Sequence, residues 1–306
     1  MSQFLKKIVQ INFFIFLLYL LLTKPSWTLK YAAQGLFVWY QSMVPSLFPM
    51  MILTGCMIKL NITASFSKLI HPVTKVLFHT SPNGSYALFM GFLCGFPMGA
   101  KIICELYTQH KLSKKEAQSL LPVCNNIGPV FMLTYALPLL NVPHIYTTLI
   151  LFYCIPLIYA FFMLRKKTFS GITTSQTIVY PFVTALDESI TESAIGMLSL
   201  GGYLMFFNIL LLIPTKILNL NRQMKSLLSC LIEITNGLSC NVIFPPYVYL
   251  ALLQFGGFCC IFQTLKYTLK TDLSFKKYLV HKIILSGITF FFFFLQYVVV
   301  SYVCCV

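Results

Sequence analysis

Four short runs hold the residues of this chain with chemical capacity. Gly91 to Lys101 packs Gly91, Gly95, Pro97 and Gly99 into eleven residues and ends on a lysine. Asn125-Asn126-Ile127-Gly128-Pro129 sets two adjacent amides before a Gly-Pro pair. Glu233-Ile234-Thr235-Asn236-Gly237 places an acid inside an apolar run, and Gly256-Gly257 interrupts another. None of these pairs a nucleophile with a base. No H-E-x-x-H, G-x-S-x-G or Walker loop occurs. His71, His79, His110, His144 and His281 are scattered, mostly in loops and interfaces. No catalytic residue is therefore expected, and the chain is read as a non-enzyme. What such runs do offer is broken helix. Freed peptide groups aim their dipoles at a cavity, and helix N-termini favour anions there. The expected chemistry is reversible binding of a small solute. Gly95, Pro97, Gly99, Lys101, Asn125, Asn126, Gly128, Pro129, Glu233, Thr235, Asn236, Gly237, Gly256 and Gly257 are the candidate contacts.

The acids sharpen this reading, because only seven exist: Glu105, Glu116, Asp187, Glu188, Glu192, Glu233 and Asp272. Glu116 and Asp272 fall in loops. Glu188 and Glu192 share a helix face at i,i+4 and read as a solvated interfacial face. Glu105 follows Lys101 by four residues, which predicts a local ion pair. Glu233 sits within apolar sequence, and an acid at membrane depth is a functional candidate. Two roles stay open for it, proton or ion coupling and a structural partner for Lys101. The eleven cysteines lie singly or as the adjacent pairs Cys259-Cys260 and Cys304-Cys305, with no C-x-x-C. That pattern suits packing, so neither metal nor cofactor is expected.

The elements that position these runs follow from composition. Hydrophobic residues make up 58% of the 306 residues and charged residues 9%, with a mean hydropathy of +0.81. Soluble domains carry about 25% charge, so lipid must cover this surface. A nucleic-acid partner is excluded despite the net charge of +15, because no polar domain carries the lysines. They fit the positive-inside rule instead. Residues 4–23 form a first span, uncleaved because no small-residue cleavage site follows. A short amphipathic bridge (27–34) leads to an apolar stretch (35–60) interrupted by Pro45 and Pro49. An interfacial helix (65–79) precedes a re-entrant hairpin (84–107). A span broken at Asn125 to Pro129 and another at 143–164 complete the first half. The second half has an amphipathic stretch (184–193), a span (194–214) with Gly201-Gly202, a polar hairpin around Glu233 to Gly237, a span broken at Gly256-Gly257, and a last span (279–303). With Lys6 and Lys7 in the cytoplasm, 17 of the 22 basic residues fall on that side, Lys101 and Lys282 among them.

The two halves share this order of features, and their hairpins enter from opposite sides. The fold class is therefore an all-α polytopic membrane protein. It has inverted repeats with two re-entrant hairpins and broken helices. The expected units are an N-terminal anchor (1–30), a first repeat (31–164), a cytoplasmic linker (165–183) and a second repeat with the last span (184–306). Paired interruptions in two halves point to a transporter's binding site, because broken backbone cannot face lipid.

Several of these runs carry a resemblance. Val44-Pro45-Ser46-Leu47-Phe48-Pro49, Gly95 to Lys101, Asn125 to Pro129, Asp187-Glu188-Ser189-Ile190, Gly201-Gly202-Tyr203, Glu233 to Gly237 and Phe255-Gly256-Gly257 together resemble the sporulation integral membrane protein family of the YlbJ type. That family belongs to the nucleoside-recognition or gate-domain superfamily. The resemblance covers roughly residues 35–263. It implies a plan similar to concentrative nucleoside transporters. It implies movement of dipicolinate, a small aromatic dianion, toward the forespore across the outer forespore membrane. It also adds Gln263 to the binding set. Where the family often has Ser and His, this chain has Cys259 and Ile261. A secondary carrier is the leading expectation. A non-transporting scaffold or ligand sensor in spore formation is the alternative, and a homo-oligomer is left open.

Overall fold

A computed structural model describes residues 3–165, 169, 180–240 and 242–304. Lys166, Lys167, Cys305 and most of the expected linker lie outside the described residues. Within them every regular element is helical. Seven helices are long and apolar enough to cross a membrane: Phe4–Thr23, Pro25–Lys59, Lys114–Leu140, Ile145–Leu164, Phe182–Ile217, Pro246–Thr268 and Phe275–Val299. The chain is a multi-pass membrane protein. Two shorter helix pairs accompany the spans. Pro82–Cys94 turns into Met98–Thr108, and Arg222–Ile232 turns into Ile234–Cys240.

Local chemistry explains the ends. Ser81 accepts the Gly84 amide at 3.1 Å with Pro82 in the first turn, starting the first hairpin. Ser113 accepts the Glu116 amide at 3.2 Å and starts the broken span. Asn221 accepts the Met224 amide at 2.8 Å and starts the second hairpin. The residues between Thr63 and Phe78 form two short helices, Thr63–Ser67 and His71–Phe78, where one interfacial helix was expected.

Two expectations about spans are corrected. The amphipathic bridge at 27–34 is no separate element, because one helix runs from Pro25 to Lys59. The boundary expected at residue 30 falls inside it. Pro45 does not break it, because a wider turn over Trp39–Met43 precedes the proline and absorbs the missing amide bond. Likewise 184–193 and 194–214 belong to one helix, Phe182–Leu210, extended by a wide turn at Ile213–Ile217. Gly201-Gly202 does not interrupt it. A Cβ on Gly201 would lie 3.0 Å from the Trp39 ring, and the indole donates to the Met197 carbonyl at 2.8 Å. Gly201 makes room for a neighbouring helix there.

The two long helices pack against each other in opposite directions. Tyr31 meets Thr215 at 2.9 Å, Trp39 meets Met197, and Lys59 meets Glu188 and Glu192, both at 2.8 Å. Rising numbers on one helix thus face falling numbers on the other. The amphipathic acids pair with Lys59 in addition to facing solvent. Near the same end, Lys114 binds Asp272 at 2.5 Å and Tyr107 donates to it at 2.6 Å. These contacts, Lys114 foremost, hold the loop carboxyl of Asp272 below its usual range.

The first hairpin lies at the centre of the bundle. Tyr86, Ala87, Met98, Ala100, Ile102 and Ile103 are all fully buried. Close backbone approach makes this possible. A Cβ on Gly91 would come within 2.6 Å of the Cys124 carbonyl oxygen, and one on Gly99 within 2.2 Å of the same atom. Both legs of the hairpin therefore press on the end of the half-helix Lys114–Cys124. Replacing Gly99 by Ala is expected to destabilise the protein by about 1–3 kcal/mol, the scale of overpacking. Gly202→Ala, inside a helix where nothing lies within 4 Å, should not destabilise the protein and should gain up to about 1 kcal/mol. Thermal unfolding of both variants in detergent checks the contrast.

Candidate functional site

The break after Cys124 is where the fold must account for its backbone. Residues 125–128 are non-helical, so nearby carbonyls lose their helical partners. Side chains replace them. The Asn126 amide donates to the Val123 carbonyl. Lys282 donates to the Asn125 carbonyl at 3.1 Å, and Tyr153 donates to the Ile127 carbonyl at 2.5 Å. The amides are anchored in turn. Asn125 accepts from the Ala100 backbone at 3.3 Å and donates to Thr264 at 2.7 Å and Tyr278 at 3.1 Å. The Asn126 oxygen accepts from Gln254 and Lys282, both at 2.9 Å. Both asparagines are fully buried.

The first hairpin turn sits on this break. Gly95 adopts φ +77°, and a Cβ on it would lie 2.2 Å from the Gly128 nitrogen, so only glycine fits. The Phe96–Pro97 peptide bond is cis. Phe96 then crosses to the other half, where a Cβ on Gly256 would meet its ring at 2.7 Å.

The second turn is built around Glu233. Its carboxylate accepts the Thr235 amide at 3.0 Å, the Thr235 hydroxyl at 2.5 Å and the Asn236 amide at 2.8 Å. The acid thus caps the helix that follows it. Asn236 donates to Asn208 at 2.7 Å. Gly237 faces the Cys230 backbone at 2.7 Å from an added Cβ, which brings the two legs together. Gly257 faces the Cys230 carbonyl at 3.0 Å. Each hairpin therefore rests on the interrupted helix that follows it.

Both turns border one cavity of about 260 Å³. Phe96 and Cys94 line it from the first hairpin, and Ile127 to Phe131 from the break. Glu233, Ile234 and Thr235 line it from the second hairpin, with Cys260 and Gln263 beyond the second break. Met43, Ser46, Leu47 and Met50 close it from one long helix, and Leu200 and Leu204 from the other. A constriction of about 10 Å³ shares Leu200 and Gln263 with this cavity and is also bordered by Pro97 and Tyr203. It shares Gly196, Lys266 and Tyr267 with a polar vestibule of about 450 Å³. The vestibule is lined by Lys59, Lys101, Lys266, Lys270, Glu105 and Glu192 among others.

Of the residues read from sequence, Gly128, Pro129, Glu233, Thr235 and Gln263 line the central cavity. Pro97 stands at the constriction. Gly95, Gly99, Asn125, Asn126, Gly237, Gly256 and Gly257 shape the turns and breaks behind the wall. Asn236 borders a separate surface groove with Lys30 and Gln34. Lys101 belongs to the vestibule and pairs with Glu105 at 3.4 Å. It is therefore no partner for Glu233, whose contacts are Thr235, Asn236 and Asn208. Lys282 is corrected most sharply. It is fully buried against the break, where a cytoplasmic position was expected. Tyr278, Lys282, Leu285 and Thr289 are all buried at intervals of four, three and four, a helical stripe in which a lysine stands out. Ser46 and Phe96 lie inside runs singled out from sequence but were not named as contacts, and Cys260, read as a packing residue, is brought in by tertiary packing.

Asn126→Leu removes the acceptor shared by Gln254 and Lys282, which should cost about 3 kcal/mol by leaving a buried donor and a buried charge short of partners. Tyr153→Phe removes one neutral bond and should cost about 1 kcal/mol. Denaturation in detergent reads the difference. Equal stability of the two variants would remove the network from this account.

No family model matches this sequence, and no solved structure matches it. Sporulation integral membrane protein YlbJ of Bacillus subtilis (strain 168) is 30% identical over 121 residues. The matched stretch covers 40% of this chain and 30% of that relative, so the match spans under a third of the relative's length. With seven apolar helices and this similarity, the chain is a multi-pass membrane protein with a sporulation-associated homologue.

Proposed function

We propose that the chain is a secondary carrier built from two inverted repeats, moving a small anionic or nucleoside-like solute through the central cavity. The order of long helix, helical hairpin, interrupted helix and spanning helix occurs twice, over residues 25–164 and 182–304. The long helices that open each half lie antiparallel, as an axis in the membrane plane requires. The observation that carries the reading is the shared cavity: both hairpin turns and both interrupted helices border it. Its volume of about 260 Å³ lies near the lower end of small-molecule pockets, about 300–1,000 Å³, and suits a compact solute.

Electrostatics favours an anion at the vestibule. Lys59 is neutralised by Glu188 and Glu192, and Lys101 by Glu105. Lys266 and Lys270 line the same space with no carboxylate within ion-pair distance among the described residues. Such a surface concentrates anions before the constriction. Separation of Tyr267 and Pro97 would join vestibule to cavity, and closure there with opening on the other side gives alternating access. Glu233 is the acid on the cavity wall at which a coupling proton would bind. Similarity to YlbJ supports a role in sporulation at a cell membrane, with dipicolinate as the leading solute and the outer forespore membrane as the leading site.

Uptake of labelled dipicolinate, or of nucleosides, into proteoliposomes tests the proposal. Glu233→Gln and Gln263→Leu alter the cavity wall, and each is assayed on protein whose thermal unfolding matches wild type. Each should lower uptake about tenfold or more, the equivalent of about 1.4 kcal/mol in binding. Uptake equal to wild type in both variants rules out the cavity as the solute site.

A further inference from the structure

Lys282 is buried to the last atom within a spanning helix, and no carboxylate lies within 4.0 Å of it among the described residues. A charge in that position needs oxygen ligands. Its ammonium finds two, the Asn125 carbonyl at 3.1 Å and the Asn126 side-chain oxygen at 2.9 Å. The face of Phe96 lies 4.9 Å away, a third favourable surface for a cation. These ligands have a common origin. Cys124 ends the half-helix Lys114–Cys124, and Asn125 and Asn126 are the first residues beyond it. The C-terminal end of a helix carries partial negative charge and orphaned carbonyls. In broken-helix carriers such ends, with unwound carbonyls, coordinate free cations. Here the oxygens of that place are already held by a side chain from another helix. Tyr278, one turn earlier on that helix, receives the Asn125 amide at 3.1 Å, so the same face orients the ligands and supplies the charge.

We propose that Lys282 is a tethered cation: its ammonium fills the oxygen-lined site at the end of the broken half-helix that a free alkali-metal ion would otherwise take, and the chain holds its hairpin and break together without such an ion. The inference concerns the scaffold and stands whether or not the cavity carries a solute. It gives the buried lysine a role that a purely apolar replacement cannot fill. It also makes a chemical demand. Shortening the side chain must leave a site for a small soluble cation.

The test is thermal unfolding of the purified full chain in detergent, at constant ionic strength, in NaCl, KCl, methylammonium chloride or choline chloride. Wild type should unfold at the same temperature in all four. Lys282→Ala should unfold roughly 5–10 °C lower in choline and recover, saturably, in sodium, potassium or methylammonium. Lys282→Met fills the space with an apolar chain and should not recover in any of them. If Lys282→Ala does not fold in choline, purification is repeated in the other three salts. Recovery of monodisperse protein in one of them supports the assignment, and recovery in none overturns it. A saturable rise of the wild-type midpoint with sodium or potassium overturns it as well, as does a Lys282→Ala midpoint that ignores every cation.

Discussion

Everything in this fold turns on four residues whose peptide groups cannot pair as a helix. Within a bilayer each unpaired group costs several kcal/mol, because water is absent. The stretch from Asn125 to Gly128 is tolerated because other elements bring partners to it. Tyr153 comes from the helix Ile145–Leu164, Tyr278 and Lys282 from the last helix, Thr264 and Gln254 from the interrupted helix of the second half, and Ala100 from the first hairpin. The break is thus a buried place where the two halves are bonded to each other, beside the contacts of the two long helices. The contributors are unequal: Asn126 serves Gln254 and Lys282 at once, whereas Tyr153 makes a single bond to the Ile127 carbonyl.

That closure fixes the geometry of the cavity. Because the hairpin rests on the break through Gly91, Gly95 and Gly99, its turn cannot drift, and Phe96 is delivered to Gly256 in the other half. The second hairpin is held differently. Glu233 satisfies the opening amides of its own helix, and the turn is tied to other helices through Asn208 and through the Tyr135 hydroxyl, which donates to the Thr235 carbonyl at 2.8 Å. The first turn is thus held mainly by close backbone packing on the break, and the second by its own carboxylate with two side-chain ties to other helices.

The sequence made the breaks legible, because glycine, proline and asparagine act locally. Gly95 needs positive φ, and Asn125-Asn126 must be paired wherever they sit, so both could be located without a partner in view. The same logic misled at Pro45 and Gly201-Gly202. There the residue types of an interruption serve a wide helical turn and a close helix crossing, and only the neighbouring indole distinguishes the cases. Lys101 was legible as the partner of a local acid, Glu105, but its burial and its cavity were not. The side on which a helix residue opens depends on which element lies opposite. Lys282 was misplaced for a related reason. One lysine near the start of an apolar span reads as a loop charge until its neighbours Tyr278, Leu285 and Thr289 prove to be buried with it.

The charges that remain are disposed by depth, and depth separates their roles. At the vestibule, Lys266 and Lys270 sit in reach of water and act over distance on a diffusing anion. At the centre, Lys282 is spent on the Asn125 and Asn126 oxygens and shielded from the cavity by Phe96, so it contributes positive potential without offering a donor. Glu233 is the reverse case: it lies on the cavity wall, and its oxygens are occupied by Thr235 and Asn236. An anion that entered beside an ionised Glu233 would meet repulsion in a medium of low polarity, where like charges repel strongly. Under the carrier function proposed above, entry of an anion would therefore be tied to uptake of a proton by that carboxyl.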